Sequence, residues 1–254
     1  MTPTEAQDLA ERVAREAGAF CLSRFGQVTA AEIGHKGPRD FVSEVDRRAE
    51  QIARDLLAVA TPDIPVLGEE GGGTLAETCW VVDPLDGTSP YLSGLPLWCV
   101  SVALYACGRP VAGAIVAPAL ALEISAGGPG TLRTHGYPTL PPGDMARTIA
   151  VGRNPLWPRA ERLHREAALE SAGHTVFNFG SCALSLAFVA LNRLGGYVEH
   201  GTRIWDCAAG VAICTAAGVP ARLGPTTPDH AVDLAAGSAV TGNEMVWGLG
   251  GDAT

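Results

Sequence analysis

The stretch at residues 80–88 constrains the fold of this chain more than any other, because an apolar strand pattern runs directly into two carboxylates. Residues 80–82 are aromatic and β-branched, which is typical of a buried strand. Pro84 cannot donate a hydrogen bond to a strand ladder, so we expect the strand to end there. Asp83 and Asp86 then lie together at a strand end, where their oxygens suit a hard cation such as Mg²⁺.

The next two residues favour an anion beside that cation. Gly87 lets the backbone approach a ligand closely, and Thr88 supplies a hydroxyl and an amide at a possible helix start. Asp-Gly is also a common turn signal, so this stretch alone is compatible with a solvated turn. The metal interpretation therefore depends on other acidic groups in the chain.

Two such groups occur. Glu69 and Glu70 follow an apolar segment and precede three glycines, and adjacent carboxylates repel each other unless a cation or solvent relieves them. Asp206 stands at the head of a helix predicted over residues 206–217, where it can serve as the N-cap, as a metal ligand or as both. Together the three groups predict a cation site built from oxygen ligands.

In order and separation, these groups resemble the three signatures of the inositol monophosphatase family of magnesium-dependent, lithium-sensitive phosphatases. The matching segments are Gly68-Glu69-Glu70, Asp83-Pro84-Leu85-Asp86-Gly87-Thr88 and Trp205-Asp206-Cys207-Ala208-Ala209-Gly210. A further segment, residues 36–46, is similar to the N-terminal element of the family, with Ser43 where Thr is usual. The resemblance implies an α/β chain with the sugar-phosphatase fold, a five-layer αβαβα sandwich.

The resemblance also implies how two or three Mg²⁺ ions are held, with Mn²⁺ as a possible substitute. Glu69, Asp83 and the carbonyl of Leu85 hold the first ion. Asp83, Asp86 and Asp206 hold the second, and a third, weaker ion uses Glu69 through waters. Such ions supply charge neutralisation and an activated water for phosphate ester hydrolysis.

Further residues take their roles from the same resemblance. Glu70 and Thr88 position and deprotonate the attacking water, with Asp46 as the partner of Thr88, so no enzyme-bound phosphate is expected. The amides of Gly87 and Thr88 cradle the phosphate. The residues expected to read substrate hydroxyls are Gly180, Ser181, Cys182, Glu199 and Asp206.

Two of these substrate assignments compete with simpler structural roles. Gly180 and Ser181 can equally form a turn and N-cap before the helix predicted over residues 181–193. Arg203 lies near the mouth of the expected site, where its guanidinium can pair with a second phosphate, a carboxylate, an acid of a neighbouring subunit or an ordinary salt-bridge partner.

The sequence leaves the substrate open. Residues 89–91, Cys182 and residues 202–203 depart from the inositol phosphatase pattern. Relatives with the same metal signature act on histidinol phosphate, fructose 1,6-bisphosphate, phosphoadenosine phosphate, NADP or sugar phosphates.

A haloacid-dehalogenase-type phosphatase also places paired Asp before Gly-Thr, but its two aspartates are two positions apart, and Asp83 and Asp86 are three apart. A non-catalytic regulator that binds sugar phosphates is the remaining alternative.

Composition and net charge limit the domain organisation and the kinds of partner that are expected. A chain of 254 residues with 47% apolar content forms one large domain or two closely packed halves, with the boundary expected between Gly127 and Gly143, so that 1–143 and 144–254 are the halves. The net charge of −9 argues against binding nucleic acid or an anionic membrane. Seven cysteines without a Cys-x-x-Cys pair indicate neither disulfides nor zinc. The N-terminus lacks a signal-peptide core, which predicts a cytoplasmic protein, and the family resemblance implies a homodimer.

Hydrophobic periodicity predicts the main elements of secondary structure. Helices are expected over 4–25, 44–60, 158–172, 181–193 and 206–217. Strands are expected over 64–67, 79–83, 97–106, 111–117, 148–152, 174–178 and 196–199, with short strands after residue 217. Helices and strands alternate most clearly in the second half, which favours α/β layering.

Overall fold

Two N-terminal helices form the first layer of the molecule. A computed structural model of the chain describes residues 1–29, 33–37, 40–140 and 147–241. Helix α1 (Pro3–Arg24) begins at a capping box in which the Thr2 side chain accepts from the Glu5 amide and the Glu5 carboxylate accepts from the Thr2 amide. Helix α2 (Glu44–Ala60) packs beside it, and both bury small apolar residues against a sheet.

The short strands β1 (Ile33–Gly37) and β2 (Asp40–Ser43) pair antiparallel just before α2. The family-like segment at residues 36–46 runs through this hairpin, but its residues 38 and 39 lie outside the described residues.

The second layer is a six-stranded sheet. Its strands, in spatial order, are β3 (Val66–Gly68), β4 (Thr78–Asp86), β5 (Cys99–Ala106), β6 (Arg109–Ala117), β7 (Leu122–Ala126) and β8 (Arg133–His135). Strands β3 and β4 are parallel, and the other neighbours are antiparallel. Because side chains alternate along a strand, Trp80 and Val82 face α1 and α2, whereas Val81 faces the opposite side of the sheet.

Two apolar helices form the central layer, α5 (Cys182–Ala190) and α6 (Ile204–Ala216), and both are buried nearly all round. Such helices fit only between two other layers. Helix α6 packs so closely on the six-stranded sheet that a Cβ on Gly113 of β6 would lie 2.7 Å from the Cα of Ala209. Glycine at this position therefore permits the contact between sheet and helix.

A five-stranded sheet covers the other side of these helices, and α4 (Arg159–Ser171) and α7 (Ser238–Thr241) close its outer face. Its strands, in spatial order, are β10 (Thr175–Phe177), β9 (Thr148–Val151), β11 (Gly196–Arg203), β13 (Ala231–Ala236) and β12 (Ala221–Leu223). Strand β9 is parallel to both its neighbours, and β13 is antiparallel to both of its own. The layers alternate helix, sheet, helix, sheet, helix, which confirms the predicted αβαβα sandwich.

Several expected element ends were wrong: α5 ends at Ala190 and not at 193, β11 runs on to Arg203 and not only to 199, and two further differences lie at the acidic motifs. Strand β4 does not stop at Pro84 but continues to Asp86, because a bulge between Asp83 and Asp86 removes the need for a ladder donor from the proline. Helix α6 begins at Ile204, before the expected start, so Asp206 lies in its first turn and not at its N-cap. Strands β7 and β8 were not predicted because both are short: β7 spans five residues, and β8 spans three that are all polar and exposed.

The division into halves at residue 143 remains a prediction, and residues 141–146 lie outside the described residues. Helix α6 contacts strands of both sheets, including β6 and β13. None of the helices in the described ranges is both long and apolar enough to span a bilayer.

Candidate active site

The acidic groups singled out in the sequence meet where the two sheets face the central helices. Parallel pairing of β3 with β4 places Glu69, just past β3, beside the end of β4, and the Glu69 amide donates to the Val82 carbonyl at 3.3 Å. The N-terminal ends of α5 and α6 reach the same region. A cavity of about 680 Å³ opens there, and Glu69, Asp86 and Asp206 line it.

Asp86 is tied to the start of α5. Its Oδ2 accepts hydrogen bonds from the Ser181 hydroxyl and the Ala183 amide, both at 2.6 Å, and its Oδ1 accepts from the Cys182 amide at 3.3 Å. Ser181 is also the N-cap of α5, since its hydroxyl oxygen accepts from the Leu184 amide at 3.2 Å. The helix start therefore stabilises the Asp86 carboxylate through backbone donors.

The carboxylates of Asp83 and Asp206 accept hydrogen bonds from residues close to them in the sequence. The Asp83 Oδ1 accepts from the Leu85 amide at 2.9 Å within the bulge. The Asp206 Oδ2 accepts from the Thr202 hydroxyl at 2.9 Å and from the Arg203 amide at 3.1 Å, which satisfies a free donor at the start of α6. Each carboxylate thus has one oxygen engaged locally.

Burial raises the pKa of all three aspartates, and neighbouring carboxylates add to the shift. Burial raises the pKa of Asp83 well above its ordinary value, and repulsion from Glu69, Asp86 and Asp206 adds to the shift. Burial raises the pKa of Asp206 to about 7, with Asp86 and Glu199 adding to it. Burial also raises the pKa of Asp86 to about 7, although the hydrogen bonds from Ser181 and the α5 amides oppose it.

This donor set fits a hard divalent cation. It consists of neighbouring carboxylates whose mutual repulsion a cation would relieve, and oxygen is the ligand that Mg²⁺ prefers. Within the described part of the chain, no group of three or more His, Cys, Asp or Glu side chains is arranged so that it could hold a metal ion as it stands.

The metal-free protein is expected to lose stability as the pH rises from 5 to 8. Asp86 and Asp206 have folded-state pKa values of about 7 against an ordinary value of 3.8, so the folded state binds more protons in this window. Each such group lowers the free energy of unfolding by about 1.4 kcal/mol per pH unit at most. Melting curves in chelator at pH 5, 6, 7 and 8 measure the effect.

Added Mg²⁺ is expected to restore most of the lost stability at pH 8, because a ligand that binds only the folded state stabilises it. Asp206→Asn should flatten the pH dependence in chelator. A chelated protein that melts higher at pH 8 than at pH 6 would contradict the assignment of these carboxyls.

A second group of residues surrounds Thr88 on the other side of β4. The Thr88 hydroxyl lies 3.1 Å from both the buried Asp46 Oδ1 and the Leu85 carbonyl oxygen. Gly87 precedes the short helix α3 (Thr88–Leu92) and has a φ of +97°, at which a residue with a side chain would be strained. A Cβ there would also lie 2.6 Å from the Leu97 carbonyl oxygen. Glycine is therefore required at this turn.

The cavity is also lined by Glu199, which is buried on β11. Its Oε1 accepts from the Asn154 side-chain amide at 2.9 Å and its Oε2 from the Tyr197 hydroxyl at 2.5 Å. Burial raises the pKa of Glu199, whereas the hydrogen bonds from Tyr197 and Asn154 oppose that shift. The two donors fix the carboxylate while leaving lone pairs for a ligand hydroxyl.

Cys182 also lines this cavity, but its thiol is poorly suited to react. Its side chain is buried, and burial raises the pKa of its thiol well above the ordinary value, with Glu199 adding to the effect. The thiolate, which is the nucleophile, is therefore scarce. Packing is the role that the structure supports for this thiol.

Of the seven cysteines, only Cys107, in the turn between β5 and β6, is exposed. The native protein is therefore expected to react with one equivalent of a thiol reagent such as DTNB within minutes. All seven thiols should react in guanidinium chloride. Cys107→Ser is expected to remove the fast equivalent; fast labelling that persists in this variant would mean that a buried thiol is accessible.

Arg203 lies at the mouth of the cavity, where its Nη1 donates to the Asp229 carboxylate at 2.7 Å and also contacts the Asp229 backbone carbonyl. The pKa of Asp229 is lowered to about 2, chiefly by the Thr227 hydroxyl and then by Arg203. An ordinary salt bridge, one of the alternatives for Arg203, is present. Its pairing with a substrate acid remains a prediction.

The structure gathers most of the predicted residues around one cavity. Its lining includes Glu69, Asp86, Gly180, Ser181, Cys182, Glu199, Arg203 and Asp206. The remaining predicted residues, Asp46, Glu70, Asp83, Leu85, Gly87 and Thr88, are not part of that lining. Thr88, Asp46 and Leu85 instead form the hydrogen-bonded group described above.

Sequence reasoning missed Asn154 and Tyr197, which hold Glu199. Asn154 could have been noticed as the Asn of an Asn-Pro turn directly after a strand. Tyr197 offers no such signal, because an aromatic residue in a strand is ordinarily part of the core.

Comparison with known proteins gives a consistent result. A family model described as the inositol monophosphatase family matches residues 3–244. The uncharacterized protein y4fL of Sinorhizobium fredii is 45% identical over 218 residues, which span 85% of this chain and 78% of that protein. The inositol-1-monophosphatase SuhB of Mycobacterium tuberculosis is 34% identical over 253 residues, spanning 89% of this chain and 86% of its own.

The fold has solved relatives as well. The crystal structure of the extragenic suppressor protein suhB from Bartonella henselae superposes with a TM-score of 0.79. It is 29% identical in sequence, and the match covers 91% of this chain and 92% of that one.

Proposed function

The chain belongs to the inositol monophosphatase family, and from that premise we propose that it is a magnesium-dependent phosphomonoesterase acting on the phosphate of a small polyol, sugar, nucleotide or amino alcohol. The observation that carries the proposal is that Glu69, Asp86 and Asp206 line the same cavity as Glu199 and the start of α5. The first three carboxylates suit a cation and a phosphate, and Glu199 suits substrate hydroxyls.

In this proposal Glu69, Asp83 and the Leu85 carbonyl hold one Mg²⁺, and Asp83, Asp86 and Asp206 hold a second, with Mn²⁺ as a possible substitute. When bound, these ions neutralise phosphate charge and lower the pKa of a water. The protein's part is to fix the ligands, and the local hydrogen bonds of Asp83 and Asp206 do so.

Thr88 and Glu70 are proposed to orient the attacking water and take up its proton. The Thr88 hydroxyl has two acceptors, Asp46 and the Leu85 carbonyl, so its proton points towards the protein and its free lone pair is available to a water. A water that donates to Thr88 exposes its own lone pair for attack on phosphorus. The amides of Gly87 and Thr88 are proposed to bind phosphate oxygens.

Substrate hydroxyls are proposed to bind Glu199 and Asp206, together with the start of α5 at Gly180, Ser181 and Cys182. The Glu199 carboxylate is already oriented by Asn154 and Tyr197, which lowers the entropy lost on binding. A cavity of about 680 Å³ accommodates a sugar or nucleoside phosphate.

The proposal is tested by phosphate release from inositol phosphates, histidinol phosphate, fructose 1,6-bisphosphate, phosphoadenosine phosphate and NADP, with Mg²⁺ and with chelator. We expect turnover of at least one compound that requires millimolar Mg²⁺ and that lithium inhibits. Magnesium-independent turnover would contradict the proposal, as would the absence of turnover across this panel and a wider set of phosphomonoesters.

Two alternatives predict different results. A haloacid-dehalogenase-type mechanism would form an aspartyl phosphate that can be trapped during turnover, and none is expected here. A regulatory role gains support from the Bartonella henselae relative, which is described as an extragenic suppressor protein and not by a reaction. If Asp86→Asn abolished hydrolysis but left a cellular phenotype intact, the regulatory alternative would be favoured.

The wider setting is part of the same proposal. The protein is proposed to act as a cytoplasmic homodimer on a small molecule, without nucleic acid or membrane partners. The net charge of −9 supports the exclusion of nucleic acid and membrane partners, because polyanions and anionic lipid surfaces would be repelled.

A further inference from the structure

Glu50 is a buried carboxylate that none of the sequence motifs explains. It lies on α2 with its side chain only 2% exposed. Its Oε2 accepts from the Glu70 amide at 2.7 Å, and its Oε1 accepts from the Gly71 amide at 2.8 Å. A charged acceptor with two backbone donors makes a stronger link than an ordinary pair of neutral groups. Glu50 therefore binds the backbone of the Glu69-Glu70 loop directly.

Arg54, one turn later on α2, completes this attachment. Its Nε donates to the Glu50 Oε1 at 2.7 Å, its Nη1 to the Val66 carbonyl at 3.2 Å and its Nη2 to the Gly72 carbonyl at 2.6 Å. The guanidinium thus joins the start of β3 to the end of the loop. The rigid fork of arginine suits this task, because its donors have a fixed geometry.

The loop backbone lies directly against Glu50. A Cβ on Gly68 would come 2.4 Å from the Glu50 Oε1, and one on Gly71 would come 2.7 Å from the same atom. Contacts this close leave no room for a side chain at either position. The glycines around Glu69-Glu70 therefore serve the contact with α2 as well as the approach of a ligand.

Helix α2 carries a second buried carboxylate one turn before Glu50, namely Asp46, which accepts from the Thr88 hydroxyl at 3.1 Å. One helix face thus contacts both segments that carry the proposed water-orienting pair, Thr88 through Asp46 and Glu70 through Glu50. Residues four apart on a helix lie on the same face. The distance between those segments is consequently set by the rigid rise of α2.

We propose that Glu50, supported by Arg54, is a positioning residue that fixes Glu70 relative to Thr88. The inference rests on the proposed hydrolase function, because it assigns Glu50 a role in that reaction. Releasing the loop is expected to impair the chemical step more than substrate binding, since small misplacements of catalytic groups can cost about 100-fold in rate.

The test is Glu50→Gln, which keeps the size of the side chain but offers one amide donor where an acceptor is needed. We expect kcat to fall about 10- to 100-fold with KM changed less than about 3-fold. We also expect hydrogen exchange at the Glu70 and Gly71 amides to accelerate at least about 10-fold in the metal-free protein. Gly71→Ala, which should displace the same loop, is expected to give the same pattern.

Glu123→Gln is the matched control. Glu123 on β7 forms a 2.7 Å ion pair with Arg15, the same length as the Glu50–Arg54 pair, but in the part of the chain that the structure describes it makes no hydrogen bond to a site residue. Its kinetic constants should equal those of the wild type.

Unchanged exchange at the two amides of Glu50→Gln would overturn the inference, as would an unchanged kcat or an equal loss of kcat in Glu123→Gln. If the wild-type protein hydrolyses no phosphomonoester, the proposed function fails, and the exchange measurement still decides whether Glu50 holds the loop.

Discussion

Replacing Asp83 with Asn is expected to lower kcat/KM at least about 1000-fold, which corresponds to about 4 kcal/mol of lost transition-state stabilisation. Asp83 is proposed to bind both Mg²⁺ ions, so its loss affects the whole site. Asn keeps the size of the side chain and an oxygen that can accept from the Leu85 amide. The loss should therefore come from the missing charge and not from a disturbed bulge.

The same substitution is expected to leave the melting temperature of the metal-free protein unchanged or to raise it. Asp83 is 1% exposed, and burial together with Glu69, Asp86 and Asp206 raises the pKa of its carboxyl. A neutral amide avoids that repulsion and desolvation. For a chain of this size, each kcal/mol gained raises the midpoint by about 2–4 °C. Active sites commonly lower stability in this way for the sake of function.

Steady-state kinetics with Mg²⁺ and thermal melts at pH 8 in chelator measure the two effects. Asp55→Asn is the matched control, because Asp55 is exposed on α2 and, among the described residues, its side chain hydrogen-bonds only with Gln51. It should leave both quantities unchanged. An Asp83→Asn protein that keeps a tenth of wild-type activity would exclude Asp83 as a ligand shared by two ions.

Replacing Thr88 with Val is expected to lower kcat by about 100- to 1000-fold while KM changes little, the range associated with loss of a group that acts in proton transfer. Valine has nearly the shape of threonine but removes the hydroxyl that links Asp46 to the Leu85 carbonyl. A water at this position would lose its acceptor. Thr88→Ser should retain most of the activity.

Pre-steady-state and steady-state phosphate release separate the chemical step from binding. Thr215→Val is the control, because the one hydrogen bond of the Thr215 hydroxyl within the described ranges is to the Val211 carbonyl of the same helix. If Thr88→Val raised KM and left kcat intact, Thr88 would belong to substrate binding and not to water activation. Equal losses of kcat in Thr88→Val and Thr215→Val would point to a general effect of hydroxyl removal.

The sequence predicted the fold well where periodicity was strong. Helix α2 has the predicted bounds, 44–60, because its apolar residues recur at helical spacing and its core contacts follow that pattern. Strand β4 was predicted to stop at Asp83 because proline breaks a ladder, but pairing with β5 resumes after a bulge. A local rule failed there because its neighbour strand, which the rule does not consider, accommodates the extra residues.

The composition and order of the acidic motifs identified the family, which the comparisons confirm, and predicted a hard-cation site, because residue type and spacing can be read without the tertiary structure. Tertiary structure decided what holds those side chains: Ser181 and the α5 amides for Asp86, Asn154 and Tyr197 for Glu199, and Glu50 for the Glu70 loop. Asp86 and Ser181 are 95 positions apart, and no local pattern encodes a hydrogen bond that exists only after two sheets close around the central helices.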